Sequence, residues 1–476
     1  MKKSLLVSLL LILSAVSFAE KKQINILSVN DMHANINGMP KLQALVKELR
    51  KQDPGLIVLS AGDNRTGNPY NDKFAEPAMP MVYLMNEIGF DASAIGNHEW
   101  DSRQDGFRNI INKSRFPYLC ANITIPDTAR LHVYPYKIFC RNGVKIGLLG
   151  GIQINSAQIP DAHPDNLTGI RFKHIDEVIP RYKWMREQVD VFILLSHDGY
   201  EVDTATAKKY PFLDAIIGGH SHVIADNEYY AGVLVNQAAS KLKKANLTTI
   251  EVEDGKVVSK KSKMIDLASY PNEDAEMQKM VEGFKNDPEM KRVISHVISP
   301  FQTKEELANM EMDAMREELN VDVAIQNGGG VRYSTFPVGD FTVADLLELD
   351  PFGNPAVIYE FTGKELEDFI MNNLDVDEKQ PVFVSGCSYV MDVKRGATKE
   401  DTHPTGIKIT MDGKKFSKTA RYRVATNQYA AAVSTSKKQD QGTVLAESCS
   451  DIVMRWLQKH PELNYTGTKR IQINIK

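Results

Sequence analysis

The sequence predicts a layered α/β fold in two domains, and three observations carry that prediction. Short apolar, β-rich runs alternate with helix-like stretches through the first half of the chain, the pattern of strands with helices packed over them. Almost every run ends in a polar cluster rather than a simple turn, and the carboxyl ends of strands are where α/β folds build ligand sites. A chain of 476 residues is too long for one ordinary hydrophobic core, so two domains are expected.

At the start, Lys2 and Lys3 precede an apolar run over residues 5–16, followed by Ser17-Phe18-Ala19 before Glu20. A basic region, a short apolar core and a small-x-small site predict a signal peptide over 1–19. A membrane anchor needs about 20 apolar residues, more than this run offers. A secreted protein, periplasmic or extracellular, is therefore expected, with no membrane span in the mature chain. Strands follow at 24–29, 56–60, 92–95, 144–149, 191–195 and 215–217, with helices at 41–51, 77–88 and 175–188. A hairpin is expected over 248–258, turning at Glu253-Asp254-Gly255-Lys256. A charged helix over 272–286, between Pro271 and Pro288, reads as the connector. The domains are thus expected at 20–268 and 301–476, with the linker helix in 269–300. The second half restarts with a helix at 304–319 and a strand at 321–325, then mixes strands and helices to a final strand at 470–475.

Composition narrows the partners. Apolar residues make up 42% and charged residues 25%, with a net charge of −4, so the chain has no basic field for a nucleic-acid polymer. A free nucleotide stays within reach, because a local metal site supplies positive charge. Cys120, Cys140, Cys387 and Cys449 are the four cysteines; in an oxidising compartment they permit two disulfides, and chain order suggests one pair per half. None has metal-ligand spacing.

Five polar clusters carry the chemistry: Asn30-Asp31-Met32-His33, Ala61-Gly62-Asp63-Asn64, Gly96-Asn97-His98-Glu99-Trp100-Asp101, Ser196-His197-Asp198-Gly199 and Gly218-Gly219-His220-Ser221-His222. Each directly follows an apolar run, so strand direction delivers all five to one edge. Of eleven histidines, five fall here. Imidazole and carboxylate donors suit Zn2+, Mn2+ and similar ions. Asp31-x-His33 and His220-x-His222 each place two side chains on one side of an extended segment. Adding Asp63, Asn97 and His197 gives seven donors, more than one ion takes. Two dications about 3.7 Å apart repel by roughly 18 kcal/mol at an effective dielectric of 20, so a shared anion is required, and Asp63 is the candidate bridge. His98 follows a glycine-led turn and is expected to face substrate. Asp101, three residues on, would orient its imidazole for stabilising phosphoryl charge or protonating a leaving oxygen.

These segments, in this order and spacing, resemble the calcineurin-like metallophosphoesterases, and more narrowly the bacterial 5'-nucleotidase family. The resemblance implies a four-layer α/β/β/α catalytic domain followed by a smaller α+β substrate-binding domain. It assigns Asp31, His33, Asp63 and His222 to one divalent ion, and Asp63, Asn97, His197 and His220 to another. His98 and Asp101 match the family's catalytic pair. In the second half, Asn327-Gly328-Gly329-Gly330-Val331-Arg332 and Asp350-Pro351-Phe352-Gly353-Asn354 look like its nucleotide-binding signatures. Asn327, Gly329, Arg332, Phe352 and Asn354 are the substrate contacts so implied, with Tyr429 as the second aromatic of a base sandwich. Departures are visible. His222 stands where periplasmic members often have Gln, Ala430-Ala431-Ala432 replaces a glycine-rich stretch, and only Lys291 and Arg292 lie near the expected ligand-gripping arginines. The implied activity is two-metal hydrolysis of nucleoside 5'-monophosphates, with a hinge near 270–300. The same metals would also serve a 2',3'-cyclic-nucleotide or nucleotide-sugar phosphodiesterase. A non-catalytic nucleotide receptor would bind without turnover. Oligomeric state is not encoded in any motif.

Overall fold

Alternation of side chains decides the architecture. In the strand Lys22–Val29, Ile24 and Ile26 enter one core while Leu27 and Val29 enter another. In Ile57–Ser60 the split is the same, Ile57 and Leu59 against Val58. In Val191–His197, Ile193 and Leu195 share the first core while Phe192 and Leu194 turn away. Strands apolar on both faces are stable only when covered on both, and the computed structural model shows how. It describes residues 21–155, 157–374, 381–396 and 402–476; the expected signal peptide lies outside the described residues.

Two six-stranded sheets face each other across the shared core. The first runs in the order Lys256–Asp266, Lys244–Glu253, Lys22–Val29, Ile57–Ser60, Ala92–Ala94 and Tyr118–Leu119. The second runs Ile224–Tyr230, Val233–Ala238, Ala215–Ile217, Val191–His197, Val144–Ile152 and Tyr136–Arg141. Helices Met39–Gln52, Met79–Ile88 and Arg103–Lys113 bury their apolar sides on the outer face of the first sheet. Tyr200–Lys209 and the stretch around Ile175 cover the second. This is the four-layer α/β/β/α arrangement. Among the described residues, no helix is long and apolar enough to cross a membrane.

The hairpin turns on Asp254 and Gly255 alone, at φ +49° and +72°, the double positive φ of a type I′ turn. The helix expected over 175–188 does not form as such: Ile175–Val178 is one α-helical turn, and Ile179–Glu187 continues as a 3-10 helix. Pro180 lacks the N–H that a continuous α-helix would use. The connector helix, Ala275–Phe284, is capped by the Asp274 carboxylate, which also meets Lys47 at 2.6 Å. Its Met277 and Val281 are buried in the first domain's core, so residues 285–292 make the crossing.

The second domain is smaller and α+β. A five-stranded sheet (Phe383–Ser385, Val323–Gln326, Arg421–Asn427, Pro355–Thr362, Thr443–Ser448) is packed by Lys304–Glu318 and Cys449–Leu457 on one face and Gly363–Asn372 on the other. Reciprocal capping boxes start four of its helices, at Thr303, Thr342, Thr362 and Ser448. The domains touch where the short helix Pro69–Asp72 packs against Val343–Leu349, and Asn68 Nδ2 donates to Glu348 Oε1 at 3.4 Å.

The permitted disulfides are not made; all four cysteines are free thiols. Cys120 is buried and its thiol turns to Asn122 Oδ1, whereas Cys140 alternates outward on an edge strand. Cys387 and Cys449 sit in cores on opposite faces of the second domain's sheet.

Candidate functional site

The five clusters do converge, but not through extended backbone. Asp31, His33, Asp63, His220 and His222 hold φ of +48°, +45°, +52°, +77° and +56°, so each turns within the left-handed region just past its strand. The expected extended Asp-x-His and His-x-His segments are thereby corrected. What keeps the loops in that conformation is mutual hydrogen bonding: the amides of Asp31, His33 and Ala34 donate to the carbonyls of Gly62, Asp63 and Asn64, all at 3.0 Å. A buried carboxylate ties in the third loop. Glu99 accepts from the amides of Gly96, Asp63 and Asn64 at 2.6, 3.1 and 2.8 Å. The loops approach so closely that a side chain at Gly96 would overlap the Asp63 carboxylate.

The candidate donors gather around Asp63. Asp63 Oδ2 is 3.2 Å from His197 Nε2 and 3.9 Å from His98 Nε2. Asp31 Oδ1 is 3.4 Å from His222 Nε2 and 3.9 Å from His197 Nε2. His33 and His222 face each other through their Nε2 atoms at 2.9 Å. Asn97 Oδ1 lies 3.3 Å from His197 Nε2 and 3.1 Å from His220 Nδ1. Overlapping trios (Asp31, His33, His222; Asp31, Asp63, His197; His33, Asp63, His98) each keep one ligand atom per residue within 4.8 Å of the others. The back nitrogens are already committed: His33 Nδ1 to the Thr66 carbonyl at 3.1 Å, and His197 Nδ1 to the Ala61 carbonyl at 2.6 Å. Such bonds fix the tautomer that aims the other nitrogen's lone pair inward, the usual arrangement of metal-ligating histidine. The residues fit divalent ions bound by nitrogen and oxygen.

Electrostatics agree with that fit. Burial would raise the Asp31 and Asp63 carboxyls, yet His222 holds the first below the ordinary value, and His197 with His98 holds the second well below it. Burial, then Arg332 and His222, depress His33 well below an ordinary imidazole, which keeps it a neutral donor. Burial also works against a charged His197, but Asp63 and Asp31 push it up to about 10. An ion bound there would compete with the proton on His197. Glu99 is raised to about 7 by burial and by the Asp63 charge.

His98 and Asp101 are paired. His98 Nδ1 meets Asp101 Oδ2 at 2.7 Å, and Thr66 Oγ1 donates to the same oxygen at 2.7 Å. Both residues line a cleft of about 360 Å³ between the domains. Asp63, Asn97, His220 and His222 open onto it too, while Asp31, His33 and His197 lie behind them, out of solvent.

The second domain supplies the opposite wall. Asn327, Gly329, Arg332, Phe352, Asn354 and Tyr429 all line the cleft. Arg332 Nη2 comes within 3.3 Å of His33 Nε2, so a guanidinium stands beside the histidine-carboxylate cluster. The Phe352 ring stacks over His98 at 5.8 Å between centroids and 24° between planes. Asn327 Oδ1 accepts from Asn427 Nδ2 at 2.8 Å. Arg292 takes no part, being committed to Glu289 at 2.6 Å. Sequence reasoning assigns no role to Glu99 or Thr66, and passes over the loop after the strand Val144–Ile152. That apolar run, unlike the other five, does not lead straight into a histidine or carboxylate cluster; Gln153, Asn155 and Asp161 lie beyond it, spread along the loop.

Two family models match the chain: calcineurin-like phosphoesterase over residues 24–224, a span that holds all five clusters, and 5'-nucleotidase, C-terminal domain over residues 295–436. Protein UshA of Yersinia enterocolitica is 26% identical, covering 86% of this chain and 85% of that protein. A 5'-nucleotidase of Vibrio cholerae is likewise 26% identical over 86% of this chain and 85% of its own length. In fold, the chain is similar to a 5'-nucleotidase precursor from Thermus thermophilus, with a TM-score of 0.84 at 21% identity, covering 95% of this chain and 99% of that one.

Proposed function

Because this chain belongs to the calcineurin-like phosphoesterases in their 5'-nucleotidase form, and is thereby a metal-dependent phosphoric-ester hydrolase, we propose that it is an exported 5'-nucleotidase. It releases phosphate from nucleoside 5'-monophosphates with two divalent ions of the Zn2+ or Mn2+ kind. The basic, apolar and small-x-small pattern of residues 2–19 supports export. One ion would be held by Asp31, His33, Asp63 and His222, the other by Asp63, Asn97, His197 and His220. When bound, such ions neutralise phosphoryl charge and make water acidic enough to supply a nucleophile.

The chain's own groups do the rest. Arg332 grips a phosphoryl oxygen with a fork of donors. His98, oriented by Asp101, places a protonated imidazole at the developing charge or the leaving ester oxygen. Phe352 and Tyr429 offer faces to a base, and Asn327, Gly329 and Asn354 supply polar contacts beside them. Recognition and chemistry thus divide between a catalytic domain over 20–268 and a substrate domain over 301–476, joined through 269–300.

The observation that carries this reading is a single cleft lined on one side by the histidine-carboxylate cluster and on the other by Arg332, Phe352 and Tyr429. Phosphate release from nucleoside mono-, di- and cyclic phosphates, with added Mn2+ or Zn2+, tests it. AMP or another monophosphate should be the best substrate. Turnover confined to diesters or to non-nucleotide phosphates would overturn the assignment.

A further inference from the structure

Of the six apolar runs that become parallel strands in the first domain, five deliver the clusters already described. The sixth, Val144–Ile152, leads into a loop whose anchor is the Gln153 amide on the His197 carbonyl at 2.9 Å. That loop returns Asp161 to the cleft. From the cleft side, Asp161 approaches two of the candidate ligands. Its carbonyl accepts from Asn97 Nδ2 at 3.2 Å, which turns the Asn97 amide so that Oδ1 faces inward. Its carboxylate Oδ2 lies 3.8 Å from His220 Nε2, on the ring side opposite the Nδ1 that converges on Asn97 Oδ1. Asn155 Nδ2 holds the carboxylate by donating to Oδ1 at 2.9 Å, and the Asp161 backbone amide donates to Gln153 Oε1 at 3.0 Å.

We propose that Asp161 is a positioning residue for the ion shared by Asp63, Asn97, His197 and His220, and that it acts by fixing the Asn97 amide and the His220 ring. The inference rests on the two-ion reading above. A carboxylate beside the outer nitrogen of a ligating imidazole favours the proton on that nitrogen and raises the basicity of the other. For His220 the free nitrogen is then Nδ1, the one that meets Asn97 Oδ1. The partner ion is served by His33 and His222. His33 takes its orientation from the Thr66 carbonyl, on a different loop, so loss of the Asp161 charge should act mainly on the ion held by Asn97 and His220.

Mn2+ titration of chelator-treated full-length protein by calorimetry, with electron paramagnetic resonance on the same samples, separates the possibilities. Wild type should take up two Mn2+ ions and show the signal of a coupled pair. In Asp161→Asn, which keeps the shape and the Asn97 contact, one site should weaken by about 10- to 100-fold while the other holds. At two equivalents of Mn2+ the spectrum should then contain an uncoupled six-line signal. Asn155→Ala, which leaves the carboxylate in place but unbraced, should weaken the same site by less. Asp161→Glu should recover part of the loss. Unchanged affinities at both sites in Asp161→Asn would overturn the inference, as would equal weakening of both. A wild-type protein binding a single ion would overturn the two-ion reading itself, a different result from any variant's behaviour.

Discussion

Asp101→Asn isolates the charge behind His98. The substitution keeps the size and one acceptor oxygen, so His98 Nδ1 retains a partner where 2.7 Å now separates it from Asp101 Oδ2. What disappears is the carboxylate's preference for the protonated ring. A hydrogen bond to a charged group is worth about 1.5–3 kcal/mol, and at about 1.4 kcal/mol per decade that is roughly a 10- to 100-fold fall in kcat. The sign of the pH effect follows from what holds the proton. Burial works against a charged His98, but Asp63 and Asp101 together raise it above the ordinary imidazole value. Removing one of the two lowers it. If protonated His98 is the working form, the alkaline limb of kcat against pH should shift toward lower pH in the variant. The assay is phosphate release from a nucleoside monophosphate at saturating Mn2+ across the pH range. A variant with kcat within about twofold of wild type and an unmoved limb would refute the assigned role of the pair.

Other expectations follow from different parts of the molecule. Glu99→Gln should lower stability by about 1–3 kcal/mol and weaken ion binding, because both carboxylate oxygens accept loop amides and the variant's NH2 leaves at least one buried N–H without an acceptor; an unchanged melting curve would count against the loop-tying role. Phe352→Ala should raise KM by the equivalent of about 1–3 kcal/mol if the ring stacks on a base, with a smaller change for a substrate lacking the base; equal losses for both would place Phe352 elsewhere in the mechanism. Asp198 is buried and pushed up to about 7 by that burial. Its folded value lies above its unfolded one, so the unfolded chain loses the proton first and stability declines as pH rises from about 4 to about 7, by at most about 1.4 kcal/mol per unit. Asp198→Asn should flatten that slope in urea melts, and a slope identical to wild type would assign it to other groups.

Much of the site was legible because strand periodicity and strand direction are local properties. Apolar runs at 24–29, 56–60 and 191–195 are plain in the sequence, and parallel neighbours in one sheet end at one edge, so Asp31 and Asp63 meet by strand direction alone, whereas His197 reaches them from the facing sheet. What stayed hidden was set by tertiary contact. The left-handed turns at Asp31 and His220 exist because neighbouring loops hydrogen-bond to them, and nothing in Asp-x-His spacing distinguishes them from extended chain. Asp161 was missed because its recruitment depends on a loop folding back onto Asn97 and His220. The 3-10 stretch at Ile179–Glu187 was foreseeable from Pro180. The fate of the cysteines was not: their positions in the chain gave no hint that Cys140 points outward while Cys120 is enclosed.

The positive φ angles of five candidate ligands set chemistry and backbone comfort against each other. Glycine would occupy those positions at lower conformational cost, by about 1 kcal/mol apiece, but it brings neither an imidazole nor a carboxylate. Cations held by the five side chains would therefore also offset an uncomfortable chain trace. In a lineage that abandoned hydrolysis, selection would no longer protect that trace. Drift toward glycine at 31, 33, 63, 220 and 222 would then be a molecular fossil of the lost reaction, readable before any enzyme was assayed.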